Sequence, residues 1–192
     1  FSKEENDTAE IICSFFEGHS IPFARVGNNI YAKNKYYDAN KKSILLNSHH
    51  DTVKPNKGYT VDPFTPLIKD GKLFGLGSND AGGCLVSLIA TFLYYYGRTD
   101  TAYNVVFAAS AEEEISGVNG IELVLPYLGE IDCGIVGEPT KLEMAVAERG
   151  LMVIDCVAEG RAGHAARKEG ESALYKAVDD INWIRNFKFE KV

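Results

Sequence analysis

Four clusters along the chain carry residue types that bind metals or move protons. They are His49, His50 and Asp51 in ILLNSHHDTVKP, Asp80 in SNDAGG, Glu112, Glu113 and Glu114 in AEEEISG, and Glu138 in GEPT. Each falls at the carboxyl end of a run that reads as a strand, or in the loop just beyond it. In open α/β sheets the parallel strands deliver those ends to one rim, where sites are built. Carboxylates gathered there repel one another unless positive charge sits among them. A dication meets that need, and imidazole nitrogen with carboxylate oxygen suits zinc or a similar first-row metal. Every one of these residues also has an ordinary role open to it. A histidine at a strand end is commonly a hydrogen-bonded core or surface group, and a triple-Glu run a solvated face. Asp80 could be the N-cap of the helix that follows, and Glu138, ahead of Pro139, a turn residue. Those explanations are independent of one another, whereas one metal accounts for all four clusters.

The elements that would position them are legible from periodicity. Residues Ser2 to Glu17 read as a helix, with Ser2 and Glu5 spaced as a capping box and Ile11, Ile12, Phe15 and Phe16 as its apolar face. GNNIYAK gives a short strand, and Ile44 to Asn47 a continuous apolar one of the kind buried on both faces. PLIKDGKLFGLG is a hairpin signal with Asp70-Gly71 at its turn. An apolar helix of about four turns follows Asp80 and stops at Gly97, YNVVFAAS is the next buried strand, GIELVLPYL a short helix, and DCGIVGE a further strand. Strands alternating with helices predict an α/β fold with a mainly parallel sheet. Beyond AVAERG the texture changes. LMVIDCVAEG alternates like a strand with one wet face, and SALYKAVDDINWIRNF is an amphipathic helix with Leu174, Ala177, Val178, Ile181 and Ile184 on one side. The predicted boundary lies at Arg149–Gly150, dividing the chain into residues 1–149 and 150–192.

Composition narrows the function classes. A chain of 192 residues, 45 % hydrophobic and 24 % charged, has ordinary globular content. Its net charge of −7, with no Lys/Arg block, argues against a nucleic-acid binder. No apolar run approaches the roughly 18 residues that span a bilayer, and no basic start followed by an apolar stretch marks a signal peptide. Cys13, Cys84, Cys133 and Cys156 are scattered without a C-x-x-C pair, which reads as a reduced, cytoplasmic protein. The first residue is Phe and the last segment, NFKFEKV, resembles a strand entering a fold, so the expectation is a fragment of a longer protein.

SHHDTVKP, GLGSNDAGG, AASAEEEISG, CGIVGEPT and GRAGHAARKEG stand in the order and spacing of one family. The chain resembles the dinuclear zinc amidohydrolases that include acetylornithine deacetylase, succinyl-diaminopimelate desuccinylase, aminoacylase and glutamate carboxypeptidase. The resemblance runs from about Ser2 to Val192 and is greatest to the acetylornithine or acetylcitrulline deacetylase branch. It implies a three-layer α/β/α catalytic domain followed by the start of a ferredoxin-like dimerisation or lid domain. It implies two divalent ions, zinc with cobalt or manganese as alternatives, and cleavage of an N-acyl amino acid, N-acetylornithine foremost, in arginine biosynthesis. By its motifs His49 is a metal ligand and Asp51 its orienting partner, while His50 takes the variable middle position. Asp80 bridges the metals, Glu113 is the general base, Glu114 a ligand and Glu138 a ligand sharing a metal with His49 and Asp80. The triple Glu leaves a one-residue slip open. His164 in GRAGHAAR would stabilise the oxyanion from the other subunit of a homodimer. The pattern does not close, because the family's second metal takes a histidine far downstream and none follows His164. Dipeptidases, aminopeptidases and desuccinylases of the same family, and a non-catalytic binding protein on the same scaffold, are the competing expectations.

Overall fold

Strand β6 (Asn104–Ser110) is buried along its whole length and forms the centre of the sheet. This computed structural model describes every residue except 148, 149, 151, 165, 168 and 190–192. On one side of β6 lies β3 (Ser43–His49), parallel to it, with β7 (Cys133–Val136) parallel to β3 at the edge. On the other side β2 (Asn29–Lys33) runs antiparallel to β6, and β1 (Phe23–Val26) antiparallel to β2. The sheet is thus mainly parallel in strand direction, as expected, with β2 the one departure that makes it mixed. The departure has a local cause in Gly27, whose φ of 62° allows the tight turn that folds β1 back on β2. A hairpin can pair only antiparallel.

Side chains alternate across β6, so Val105, Phe107 and Ala109 face one layer and Val106 and Ala108 the other. Helices α1 (Asn6–Gly18) and α2 (Cys84–Tyr96) cover the first face through Ala9, Ile12, Phe16, Leu85 and Phe92. Phe16, Phe92 and Phe107 meet with centroids 5.6 to 6.1 Å apart, locking both helices onto β6. Each such aromatic pair contributes about 0.5–1.5 kcal/mol beyond burial. Helix α3 (Ile121–Leu128) covers the opposite face with Val124 and Leu128. The result is the α/β fold expected from the alternation of elements, in the α/β/α layering that the family resemblance implies.

The hairpin of β4 (Leu67–Lys69) and β5 (Lys72–Phe74) turns at Asp70 and Gly71, both at positive φ, as the dipeptide predicts. The start of α1 departs from expectation. The helix begins at Asn6, Glu5 makes no side-chain cap, and Ser2 bonds elsewhere.

The chain divides into two units, Phe1–Met144 and Ala145–Val192. The expected boundary includes Arg149, which lies outside the described residues. In the second unit α4 (Ala173–Asn186) starts where predicted, with Ser172 Oγ accepting from Tyr175 N at 3.4 Å. LMVIDCVAEG forms no strand among the described residues, Leu151 lying outside them; the pairing described in this unit is one bridge between Arg161 and Glu171. Alternation decides which face a strand would bury, but a strand also needs an edge to pair with. The described residues therefore do not build a ferredoxin-like sheet. No helix among them is long and apolar enough to cross a membrane.

Candidate metal centre

The strand register brings the clusters together. His49, the last residue of β3, pairs with Ser110, the last of β6, so the Glu112–Glu114 loop leaves the sheet beside it. Val136 of β7 pairs with Asn47, which puts Glu138 at the same rim. Asp80 arrives from the next segment, in the turn Ser78–Gly83 that leads into α2. It is not the N-cap of that helix, which Gly83 is, and no side chain caps it. The Asp80–Ala81 peptide is cis.

His49 is buried, and its two ring nitrogens have different partners. Nδ1 lies 3.1 Å from the backbone oxygen of Asp51 and 3.3 Å from its Oδ1. A carbonyl oxygen only accepts, so Nδ1 carries the proton and Nε2 faces the rim. There Nε2 meets Asp80 Oδ1 at 3.1 Å, Glu113 Oε2 at 3.6 Å and Glu138 Oε1 at 3.8 Å. Among the described residues, His49, Asp80 and Glu138 form the one group whose donor atoms all lie within 4.8 Å of one another.

Asp51 sits beneath this group, fully buried. Its carboxylate accepts from Ser2 Oγ at 2.7 Å, from Glu113 N at 3.1 Å and from Glu114 N at 3.2 Å. One side chain thus orients the histidine and also fixes the backbone that presents two of the glutamates. The three glutamates separate sharply. Glu112 is buried, with φ at 52°, and its carboxylate accepts from Asn119 N and Nδ2 at 3.3 and 3.0 Å. It folds so closely over Gly117 that a Cβ there would overlap it. Glu113 points into the rim with its side chain 51 % exposed. Glu114 is half-buried.

The electrostatics suit a cation. Burial alone would depress the His49 pKa, but its bond to Asp51 and the charges of Glu113 and Glu138 push it up to about 9. Burial, with the negative charges around each, raises Glu138 and Glu114. Both effects are those of a ring with more negative charge than it can hold without a cation. An imidazole nitrogen oriented by a carboxylate, with two carboxylate oxygens within reach, fits a divalent first-row metal.

Asp51 behaves in the opposite way. Burial opposes its charge, yet the bonds from His49, Ser2 and the N–H groups of Glu113 and Glu114 hold it at about 2. A folded pKa below the unfolded 3.8 stabilises the fold above about pH 4, and that contribution is lost as pH falls toward 2. At about 1.4 kcal/mol per unit it amounts to about 2 kcal/mol. Urea unfolding of chelator-stripped protein across this range should show the loss, and Asp51→Asn should flatten it.

A sequence model of the peptidase family M20/M25/M40 matches residues 45–183. The chain belongs to this family. Succinyl-diaminopimelate desuccinylase from Wolbachia pipientis subsp. Culex pipiens (strain wPip) is 28 % identical over 190 residues, covering 92 % of this chain and 47 % of the relative. The enzyme of that name from Buchnera aphidicola subsp. Cinara cedri (strain Cc) is 34 % identical over 168 residues, covering 81 % and 45 %. The chain therefore spans about half the length of these curated relatives. Among solved structures, an M20 family metallo-carboxypeptidase from Sulfolobus solfataricus shares the fold, with a TM-score of 0.53 at 24 % identity over 69 % of this chain and 32 % of that one.

Within the first unit of this M20 chain, His50 and His19 make other contacts. His50 turns back toward α1, its Nε2 2.9 Å from Asn28 O and its Nδ1 2.7 Å from Thr8 Oγ1, and burial lowers its pKa. His19 closes the end of α1 through Phe15 O at 2.8 Å. His164 belongs to the second unit, where it is exposed and its Nδ1 accepts from Ala166 N at 3.2 Å. Two residues that touch the site's supports were not anticipated in that role. Ser2 holds Asp51, and the buried Glu5 accepts from Glu112 N at 3.2 Å. Their three-residue spacing is visible in the sequence, but the same spacing is the signature of a helix cap.

Proposed function

We propose that this chain is the metal-binding part of an enzyme that hydrolyses the amide bond of an N-acyl amino acid. The observation that carries the reading is the His49–Asp80–Glu138 group with the exposed Glu113 carboxylate beside it. His49, Asp80 and Glu138 would hold one divalent ion, and Asp80 with Glu114 would contribute to a second. Zinc is the proposed metal, with cobalt and manganese as alternatives. Bound there, such an ion supplies Lewis acidity, lowering the pKa of water and polarising a carbonyl oxygen. Glu113 takes the proton of the attacking water at a carboxylate oxygen and returns it to the leaving amine nitrogen. Asp51 keeps His49 in the tautomer that leaves Nε2 free. What supports Glu113 as the base over Glu112 is that the Glu112 carboxylate is turned into the Asn119 loop.

Two substrates share this chemistry. The motifs SHHDTVKP and GLGSNDAGG support N-acetylornithine or an N-acylcitrulline, and with them a place in arginine biosynthesis. The names of the relatives support N-succinyl-diaminopimelate. Full-length protein loaded with zinc or cobalt should release free amine from one of these and leave a plain dipeptide uncut. Loaded protein that cleaves no N-acyl amino acid sinks the reading and leaves a binding protein; cleavage of the dipeptide alone turns it to a peptidase. The proposal includes a homodimer in which His164 stabilises the oxyanion in the other subunit. A mixture of Glu113→Gln and His164→Ala proteins should then recover about a quarter of the wild-type rate. Half of a randomly re-formed population is mixed, and each mixed dimer keeps one intact site. No recovery places His164 in its own subunit's site, and full activity of His164→Ala protein by itself places the residue outside catalysis. A cytoplasmic location, consistent with four free cysteines, completes the proposal.

A further inference from the structure

The segment that enters α1 reaches the back of both loops that carry the rim group. Ser2, Glu5 and Thr8 follow one another at intervals of three residues. Ser2 Oγ donates to Asp51 Oδ2 at 2.7 Å, beneath His49. Glu5 Oε1 accepts from Glu112 N at 3.2 Å, one residue ahead of Glu113. Thr8 Oγ1 lies 2.7 Å from His50 Nδ1, next to His49 in the chain. Cross-links tie Glu5 to the His50 ring that Thr8 contacts. Glu5 Oε2 accepts from Asn28 Nδ2 at 3.2 Å, and the Asn28 carbonyl faces His50 Nε2 at 2.9 Å.

Two features set this apart from ordinary helix capping. Ser and Glu spaced by three residues would normally satisfy the first N–H groups of a helix. Here Ser2 turns to Asp51 instead, and Glu5, at the N-cap position, makes no side-chain cap. Moreover, Glu5 is 2 % exposed, and a carboxylate so deep is costly unless its oxygens are bonded. Its bonds go to Lys3 N, Asn28 and the Glu112 loop. Meanwhile α1 is already docked on the sheet by Phe16 against Phe92 and Phe107. The apolar face places the helix, and the polar edge is left to act on the loops.

We propose that Ser2, Glu5 and Thr8 are positioning residues that hold the His49–Asp51 and Glu112–Glu114 loops in the geometry that binds metal. The inference rests on the metal reading of the rim. Ser2 is its most direct member, because Asp51 serves both loops at once. Asp51 is one step removed from the ligand His49, and such partners typically change affinity 10- to 100-fold when removed; Ser2, which holds Asp51, stands one step further out and is expected at the lower end of that range.

The test is a cobalt(II) titration, followed by visible absorbance, of full-length protein stripped with a chelator. Ser2→Ala should weaken cobalt binding by about 10-fold, and Ser2→Thr, which keeps the hydroxyl, should restore it. Glu5→Gln, which keeps an oxygen for Glu112 N, should lose less than Glu5→Ala. Ile12→Val, a core change on the same helix, should lower the urea midpoint without moving cobalt affinity, separating positioning from general stability. Should Ser2→Ala bind cobalt as wild type does, or should Ile12→Val weaken binding in proportion to its lost stability, the inference is overturned while the metal reading stands. Wild-type protein that takes up no cobalt overturns both.

Discussion

Glu113→Gln is expected to retain metal while its turnover falls by about 10²- to 10⁴-fold, the range that general acid–base catalysis contributes. The amide matches the carboxylate in shape but cannot accept the proton of the attacking water. Metal should stay, because the three donors that lie within 4.8 Å of one another are His49, Asp80 and Glu138, and Glu113 is not among them. The side chain is half open to solvent, as a group that exchanges protons with a substrate should be. The fall should appear in kcat, with KM little changed, since the interaction is made in the transition state. Glu114→Gln serves as the counterpart and should weaken metal binding first. If instead Glu113→Gln emptied the site, with metal content falling in step with activity, Glu113 would be a ligand and the register of the Glu run would be slipped by one residue, with the base to be sought in Glu112. Metal analysis beside steady-state kinetics separates these outcomes.

His49→Ala is expected to abolish metal binding at the rim and, with it, activity. Apparent affinities for four-ligand zinc sites are about 10–16 kcal/mol, so one ligand contributes roughly 3 kcal/mol, a loss of more than a hundredfold. The effect here should exceed that of an exposed ligand, because His49 is the buried and oriented member of the set. Its Nδ1 is held by Asp51 and its Nε2 meets three carboxylates, from Asp80, Glu113 and Glu138. Without the imidazole those carboxylates lose their one cationic neighbour in stripped protein. His49, at about 9 when folded against 6.5 unfolded, stabilises that form fully below about pH 6.5, and the contribution fades as pH rises through 9. His49→Ala should therefore destabilise stripped protein at neutral pH and match it more closely at high pH. His50→Ala is the comparison and should lose far less cobalt affinity than His49→Ala, because that ring faces Thr8 and Asn28 and can affect the metal only through the position of its loop. Equal loss from the two histidines would show that the doublet had been divided wrongly.

Much of this was legible before any fold was known. The residue types of the rim, their order and the strand ends that carry them follow from alternation and apolar runs, which are local properties of the chain. Local patterns do not reach the rest. The Glu112–Glu114 run offers three equivalent carboxylates, and they differ because Glu112 takes a left-handed φ while Asp51 gathers the next two N–H groups. Ser2 and Glu5 carry the spacing of a cap, and the partners that draw them away lie 49 and 107 residues distant. The same limit explains the mixed sheet and why the described residues of LMVIDCVAEG form no strand. Periodicity says which face of a strand is buried, and pairing with a distant neighbour says whether and in which direction the strand exists. The sequence by itself determined the donors and the family; the tertiary structure decided which donors meet, because hydrogen bonds between residues far apart in the chain become visible only once the sheet has set its register.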